Sequence, residues 1–176
     1  MIETTSRELT RRDLPQVLAL SRENMAHIIF SSWGVEFRDE DLLHIILEPS
    51  AFTEVLEVDG RIIAYYSVDM RNDNLFINSI QVMRPYQGRG LGREMMRRIE
   101  EMATVRNMKA IELWVQITNR EAMKFYRRMG YRIVSRQGNN YLMRKVLDPG
   151  RMGRFLGSGE LREDLDLHDR PVQRPL

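Results

Sequence analysis

Cysteine is absent from the 176 residues, and that gap alone excludes a disulfide scaffold, a cysteine-ligated zinc and a cysteinyl acyl intermediate. Any acyl chemistry must be direct or use another nucleophile. Histidine is scarce: His27, His44 and His168 do not form a metal-ligand spacing, so no metal is expected. No apolar run approaches the roughly 20 residues of a membrane helix, and the first residues lack the basic and apolar regions of a signal peptide. The expectation is a cytoplasmic protein with no membrane partner. An excess of one charge is missing too: 27 Lys and Arg face 25 Asp and Glu for a formal net charge of +2, which gives no case for nucleic acid. Internal repeats are absent as well.

What remains is the balance of a globular protein, 43% hydrophobic and 30% charged, long enough for one full core and too short for two ordinary ones. One domain is expected over residues 1–147. From Asp148 the chain changes to glycines, alternating charges and late prolines, and residues 148–176 read as a flexible or loosely docked tail.

Along that domain, a weak strand at residues 2–9 precedes a helix opened by Asp13-Leu14-Pro15, with proline tolerated in the first turn. Its periodicity breaks from Ala26 to Arg38, a segment of apolar and aromatic residues. A short helix is expected from Asp39 to about Leu47, stopped by Pro49. Glu54–Val58 and Arg61–Val68 flank Asp59-Gly60, the strongest short hairpin signal. A fourth strand spans Leu75–Val82. The helix after Gly92 is the clearest element, with Leu91, Met95, Ile99, Met102 and Ala103 on one face. A fifth strand, Ala110–Val115, must then run parallel to the fourth. Thr118-Asn119-Arg120-Glu121 matches a capping box and opens a helix ended by Gly130. A closing hairpin pairs Tyr131–Val134 with Tyr141–Val146.

The chemistry concentrates between the fourth strand and its helix, in Gln87-Gly88-Arg89-Gly90-Leu91-Gly92. Glycine costs backbone entropy and is kept where the main chain must bend or approach something closely. A loop opening straight into a helix offers unpaired N–H groups at the positive end of the dipole, which suits a phosphate or pyrophosphate. The spacing is neither that of a dinucleotide fold nor that of a Walker loop. It is Gln-x-x-Gly-x-Gly, with Val82 five residues before the glutamine.

This segment resembles motif A of the GNAT superfamily of acetyl-CoA-dependent N-acetyltransferases. Asn119-x-x-Ala122-x-x-Phe125-Tyr126-x-x-x-Gly130-Tyr131 is similar to a second segment of the same family, and together the likeness covers roughly residues 50–146. The resemblance implies an α+β fold with a mixed, mostly antiparallel central sheet and helices on both faces. It implies acetyl-CoA as cosubstrate, with its pyrophosphate on the backbone of Gln87, Gly88, Arg89, Gly90, Leu91 and Gly92 and with Arg89 and Arg93 neutralising charge nearby. The pantetheine arm would pair with backbone groups of Ile80, Gln81 and Val82 on a splayed fourth strand and meet Asn119. Tyr126 would protonate the leaving thiolate. Each has a plainer role available: Asn119 as a helix cap, Tyr126 as a core tyrosine.

A base is less well marked. Some relatives carry a glutamate on the fourth strand, but Asn78, Ser79 and Gln81 stand there. Glu112 on the fifth strand is the leading candidate, beside Glu36, Asp69, His27 or a chain of water. The acceptor is expected to be a small-molecule amine or the amino group of a peptide. A non-catalytic acyl-CoA sensor is the alternative, and the last hairpin offers an edge for a homodimer.

Overall fold

The computed structural model describes residues 3–148; the C-terminal segment expected to be a tail lies almost wholly outside them. The order of elements is β1 (Thr5–Glu8), α1 (Leu14–Trp33), α2 (Asp39–Ile46), β2 (Ala51–Val58), β3 (Arg61–Arg71), β4 (Asn74–Val82), α3 (Leu91–Val105), β5 (Ala110–Gln116), α4 (Arg120–Arg128), β6 (Arg132–Gln137) and β7 (Asn140–Val146). Seven strands form one sheet in the order β1-β2-β3-β4-β5-β7-β6. All pairs are antiparallel except β4 with β5, which the α3 crossover makes parallel.

Alternation along β2 and β3, interrupted by a bulge at Ile63 where the register passes from Leu56 opposite Ala64 to Glu57 opposite Ile62, splits their side chains between two cores. Leu56, Ile63 and Tyr66 join Met95, Met96 and Ile99 of α3 on one face, while Val55, Ile62 and Tyr65 meet Val17, Leu20, Leu42 and Ile46 of α1 and α2 on the other. The expected α+β sheet with helices on both faces is therefore what forms. β3 is buried without interruption from Ile62 to Val68 because helices cover both its faces.

The expected break at Ala26 is corrected by the structure. α1 continues to Trp33 and ends on Gly34, whose φ of +69° suits glycine and whose N–H bonds the Phe30 carbonyl at 2.8 Å. The periodicity fades there because the last turns of α1 present Met25, Ile28 and Ile29 to a cleft rather than to a closed core, while Phe30 stays 60% exposed. β6 is an edge strand exposed along its whole length.

Candidate functional site

β4 and β5 begin as partners and then part. Their ladder joins Asn74–Ile77 to Ala110–Leu113 and stops. At the same level the β3–β4 register skips a residue, with Val68 opposite Ile77 but Ser67 opposite Ser79, so Asn78 is bulged. A bulge bends its strand and sharpens the local twist. Beyond it, Asn78–Val82 leaves β5 behind, and the gap floors a cleft of 1340 Å³.

The direction of the main chain on that free edge follows from one bond. Met83 N–H reaches the Ile63 carbonyl on β3 at 2.8 Å, and in an antiparallel ladder successive residues face opposite sides. The backbone groups of Gln81 therefore turn towards β3, and those of Ile80 and Val82 face the cleft. This corrects the expectation that Gln81 offers its main chain to a ligand. The Val82 carbonyl is already used: Asn24 Nδ2 donates to it at 3.0 Å and Gln87 Nε2 at 2.9 Å. Ile80 N–H and C=O and the Val82 N–H remain for a ligand strand.

Gln87 thus ties the glycine loop back to the end of β4. Gly90 sits at φ +89°, in the left-handed region, as the N-cap of α3, and no side chain among the described residues caps that helix. Leu91, Gly92 and Arg93 have no carbonyl one turn back for their N–H groups, which point out of the helix end. Gly92 has a different reason to be glycine: a Cβ there would lie 3.3 Å from Cζ of Phe125, so α3 and α4 approach closely at this point. Arg93 lines the cleft. Arg89 does not; its guanidinium lies over the Tyr86 ring at 5.8 Å.

α4 supplies the opposite wall. Asn119 both caps it, accepting from the Ala122 N–H at 3.2 Å, and lines the cleft. Tyr126 is 8% exposed, between Phe125 at 5.4 Å and the buried Tyr131 at 5.9 Å. It reaches the cleft, no hydrogen bond to its hydroxyl is formed among the described residues, and burial pushes its pKa up. The phenol stays protonated throughout the neutral range.

The sequence model of the acetyltransferase (GNAT) family matches residues 17–131 of this chain. The chain belongs to the GNAT family. An uncharacterized N-acetyltransferase of Lactobacillus delbrueckii subsp. lactis is 26% identical over 144 residues, covering 70% of this chain and 81% of that protein. Of two archaeal N-acetyltransferases, from Archaeoglobus fulgidus and Methanocaldococcus jannaschii, the chain spans 54% and 37%. The fold is that of the PaiA N-acetyltransferase from Thermoplasma acidophilum, solved in complex with coenzyme A (TM-score 0.69, 15% identity, 83% of this chain and 100% of that one). It is equally that of a ribosomal-protein-alanine N-acetyltransferase from Brucella melitensis (TM-score 0.64, 18% identity, 81% and 99%).

Within this GNAT scaffold the expected bases do not converge. Glu112 points away from the cleft lining and is held by Arg144, whose Nε donates to it at 2.6 Å. Its position along β5 explains this: Glu112 lies where β5 is still paired with Phe76 of β4, whereas Trp114 and Gln116, on the same face, lie beyond the split and line the cleft. Asp69 lies 3.6 Å from Arg71 and outside the cleft, and His27 is exposed outside it as well. Of the acids considered, only Glu36 lines the cleft. Among the described residues no cluster of His, Asp and Glu can hold a metal, and no helix is long and apolar enough to cross a membrane.

Two residues that sequence reasoning missed belong to the site. Asn24 on α1 bonds both the Val82 carbonyl and Gln81 Oε1 at 3.0 Å, fastening α1 to the free edge of β4. Beneath it Ser21, Tyr65 and Ser79 form a hydroxyl chain, with Tyr65 2.6 Å from Ser21 and 2.9 Å from Ser79. Arg128 lines the cleft with Glu121 and Phe125. Their i, i+4, i+7 spacing was legible in the sequence and marks one face of α4.

Proposed function

We propose that this protein moves acetyl from acetyl-CoA to a primary amine by direct attack. The observation that carries the reading is the unpaired half of β4 running beside the uncapped start of α3. A free strand edge fits the amides of a pantetheine arm, and N–H groups at a helix start fit a pyrophosphate. Gly88, Gly90, Leu91 and Gly92 form the phosphate cradle, which Gln87 fastens to β4 with its own N–H spent on the Arg84 carbonyl, Arg93 neutralises charge beside it, and Ile80 and Val82 hold the arm.

In that pose the neutral amine nitrogen attacks the thioester carbonyl carbon, the C–S bond breaks, the sulfur leaves as thiolate, and the proton shed by the new amide nitrogen passes through water to that sulfur. A free N–H of Ile80 or Val82 stabilises the oxygen as charge develops on it. Tyr126 faces the departing sulfur. Its raised pKa makes full proton transfer to a thiolate of pKa near 8.5 uphill, so its hydroxyl acts by hydrogen bonding to the sulfur while charge builds. The attacking amine, with pKa near 10.4 in its protonated form, must lose a proton first. The hydroxyl and amide groups of Ser79, Gln81 and Asn24 line a route for it through water.

Mixing the protein with acetyl-CoA and a panel of amines and peptides tests this. Release of CoA matched mole for mole by N-acetyl product is expected. Tight CoA binding with no turnover on any acceptor is the result that rejects catalysis and leaves a sensor. The likeness to a ribosomal-protein-alanine N-acetyltransferase favours a second acceptor class, the α-amino group of a protein, and the peptide half of the panel decides between them.

A further inference from the structure

The cleft has two ends of opposite chemistry. At the α3 end Arg93 and Arg128 line it, and among the described residues neither forms an ion pair. At the α1–α2 end the walls are Met25, Ile28, Ile29, Phe37, Leu42 and Ile45. Two carboxylates stand among them. In the first turn of α2, Asp39 is taken by Arg22 at 2.5 Å and Glu40 lies 3.9 Å from Arg38, but Asp41 lines the cleft with no ion-pair partner among the described residues. Glu36 does the same from the preceding loop.

We infer that the acceptor is a compact primary amine with a hydrocarbon body, drawn in as a cation by Asp41 and Glu36 and packed on the apolar wall of α1 and α2. The inference deepens the proposed acetyl transfer and rests on it. An apolar surface kept open beside unpaired carboxylates suits an organic cation, because hydrocarbon burial and charge attraction act on different parts of one molecule. An amino sugar would leave hydroxyls unpaired against Ile28, Ile29 and Ile45, a desolvation cost with no return. A polyamine would bring a second ammonium along the same wall, where Arg38 also lines the cleft and opposes it.

Size is limited on a third side. The last turn of α1 is fastened to the β6–β7 turn, with Asn139 Nδ2 donating to the Ser32 carbonyl at 2.5 Å and a Cβ on Gly138 placed only 3.1 Å from the Trp33 ring. The Ser32 and Thr118 hydroxyls meet at 2.5 Å beside it. The whole cleft of 1340 Å³ is somewhat larger than the roughly 300–1,000 Å³ of a pocket for one small ligand. That is room for a cosubstrate arm and a compact acceptor.

The test is kcat/KM of the full chain with acetyl-CoA and 2-phenylethylamine, isoamylamine, spermidine, glucosamine and a tetrapeptide beginning with alanine. The two apolar amines are expected to exceed spermidine and glucosamine on the order of 10²-fold, the discrimination a hydrocarbon pocket supplies. Ile29→Ser should lower that advantage about 10-fold without moving KM for acetyl-CoA. Asp41→Asn should raise KM for the amine at unchanged kcat, and the difference should shrink in high salt. CoA affinity and melting temperature of each variant confirm that it folds. Spermidine, glucosamine or the tetrapeptide as the best acceptor overturns the inference while acetyl transfer stands, and no transfer to any acceptor overturns both.

Discussion

Two helices open onto the same cleft and begin in opposite ways. α4 starts on Asn119, whose side chain accepts from the Ala122 N–H, so one donor of its first turn is satisfied within the protein. α3 starts on Gly90, which has no side chain to offer, and its first N–H groups are left for something else. A helix start is worth roughly 1 kcal/mol of capping when a side chain is available. At α3 the chain forgoes that and leaves its first N–H groups open, as the proposed phosphate cradle requires, while at α4 it takes the cap and places Tyr126 two turns along. The difference separates a start left open from a start that positions a residue.

The largest expected effect lies on α4. Tyr126→Phe, which removes a hydrogen-bond donor to the charge developing on sulfur, should lower turnover on the order of 10²-fold with KM for acetyl-CoA nearly unchanged, because the ring and its contacts with Phe125 and Tyr131 remain. Its hydroxyl bonds nothing in the described residues, so the melting temperature should hold. Unchanged kcat with a lower melting temperature would show a purely packing role. Because burial raises the phenol's pKa above about 10, the wild-type pH–rate profile should rise with amine deprotonation and show no falling limb below pH about 10.

A third helix start extends the comparison. At the head of α1, Asp13 accepts from Arg7 at 2.7 and 2.9 Å and from the Thr10 N–H at 2.7 Å. The Arg7 guanidinium holds its carboxyl well below the ordinary range, at about 2. A depressed carboxyl stabilises the fold above its unfolded value near 3.9 and loses that contribution as pH falls towards 2. Asp13→Asn should cost about 1–2 kcal/mol at pH 7 and only about a few tenths of that at pH 2, where the folded-state carboxyl is half protonated. Denaturant titrations at the two pH values check it, and an equal loss at both would remove the charge from the explanation.

Smaller effects follow at the two cleft helices. Gly90→Val should weaken CoA binding about 10-fold or more: there is open space around its Cβ, but φ +89° disfavours a branched side chain and the loop must change shape. Calorimetric titration with CoA measures it, and an affinity within two-fold of wild type would show that the loop tolerates another conformation. Asn119→Ala should cost about 1 kcal/mol of stability and little CoA affinity. A loss of affinity larger than the loss of stability would assign Asn119 to the ligand instead.

Legibility in the sequence followed the range of the interactions. The glycine loop, α3 and the Asn119 cap depend on residues within a turn or two of each other, and they stand where spacing puts them. α1 was misjudged past Ala26 because its last turns are apolar towards a cleft, and a cleft-facing helix lacks the clean polar face that periodicity reads. Glu112 was misjudged as a base because the sequence does not say where along β5 its pairing with β4 ends, and Glu112 lies on the paired side of that point. Asn24 carries no local mark of function, for its partners Gln81 and Val82 lie across the fold.

By itself, then, the order of residues determined a GNAT-like strand, loop and helix, with a second helix that caps its own start, since backbone conformation, capping and periodicity act over a few residues. Only the tertiary structure decided that β4 leaves β5 at Asn78, that Ile80 and Val82 rather than Gln81 face the gap, and that Asp41 faces it from the first turn of α2. Each of these is a matter of register and relative placement. Those are set by how the sheet twists at its bulge and how α1 and α2 settle against it, and no single stretch of chain contains both sides of such a contact.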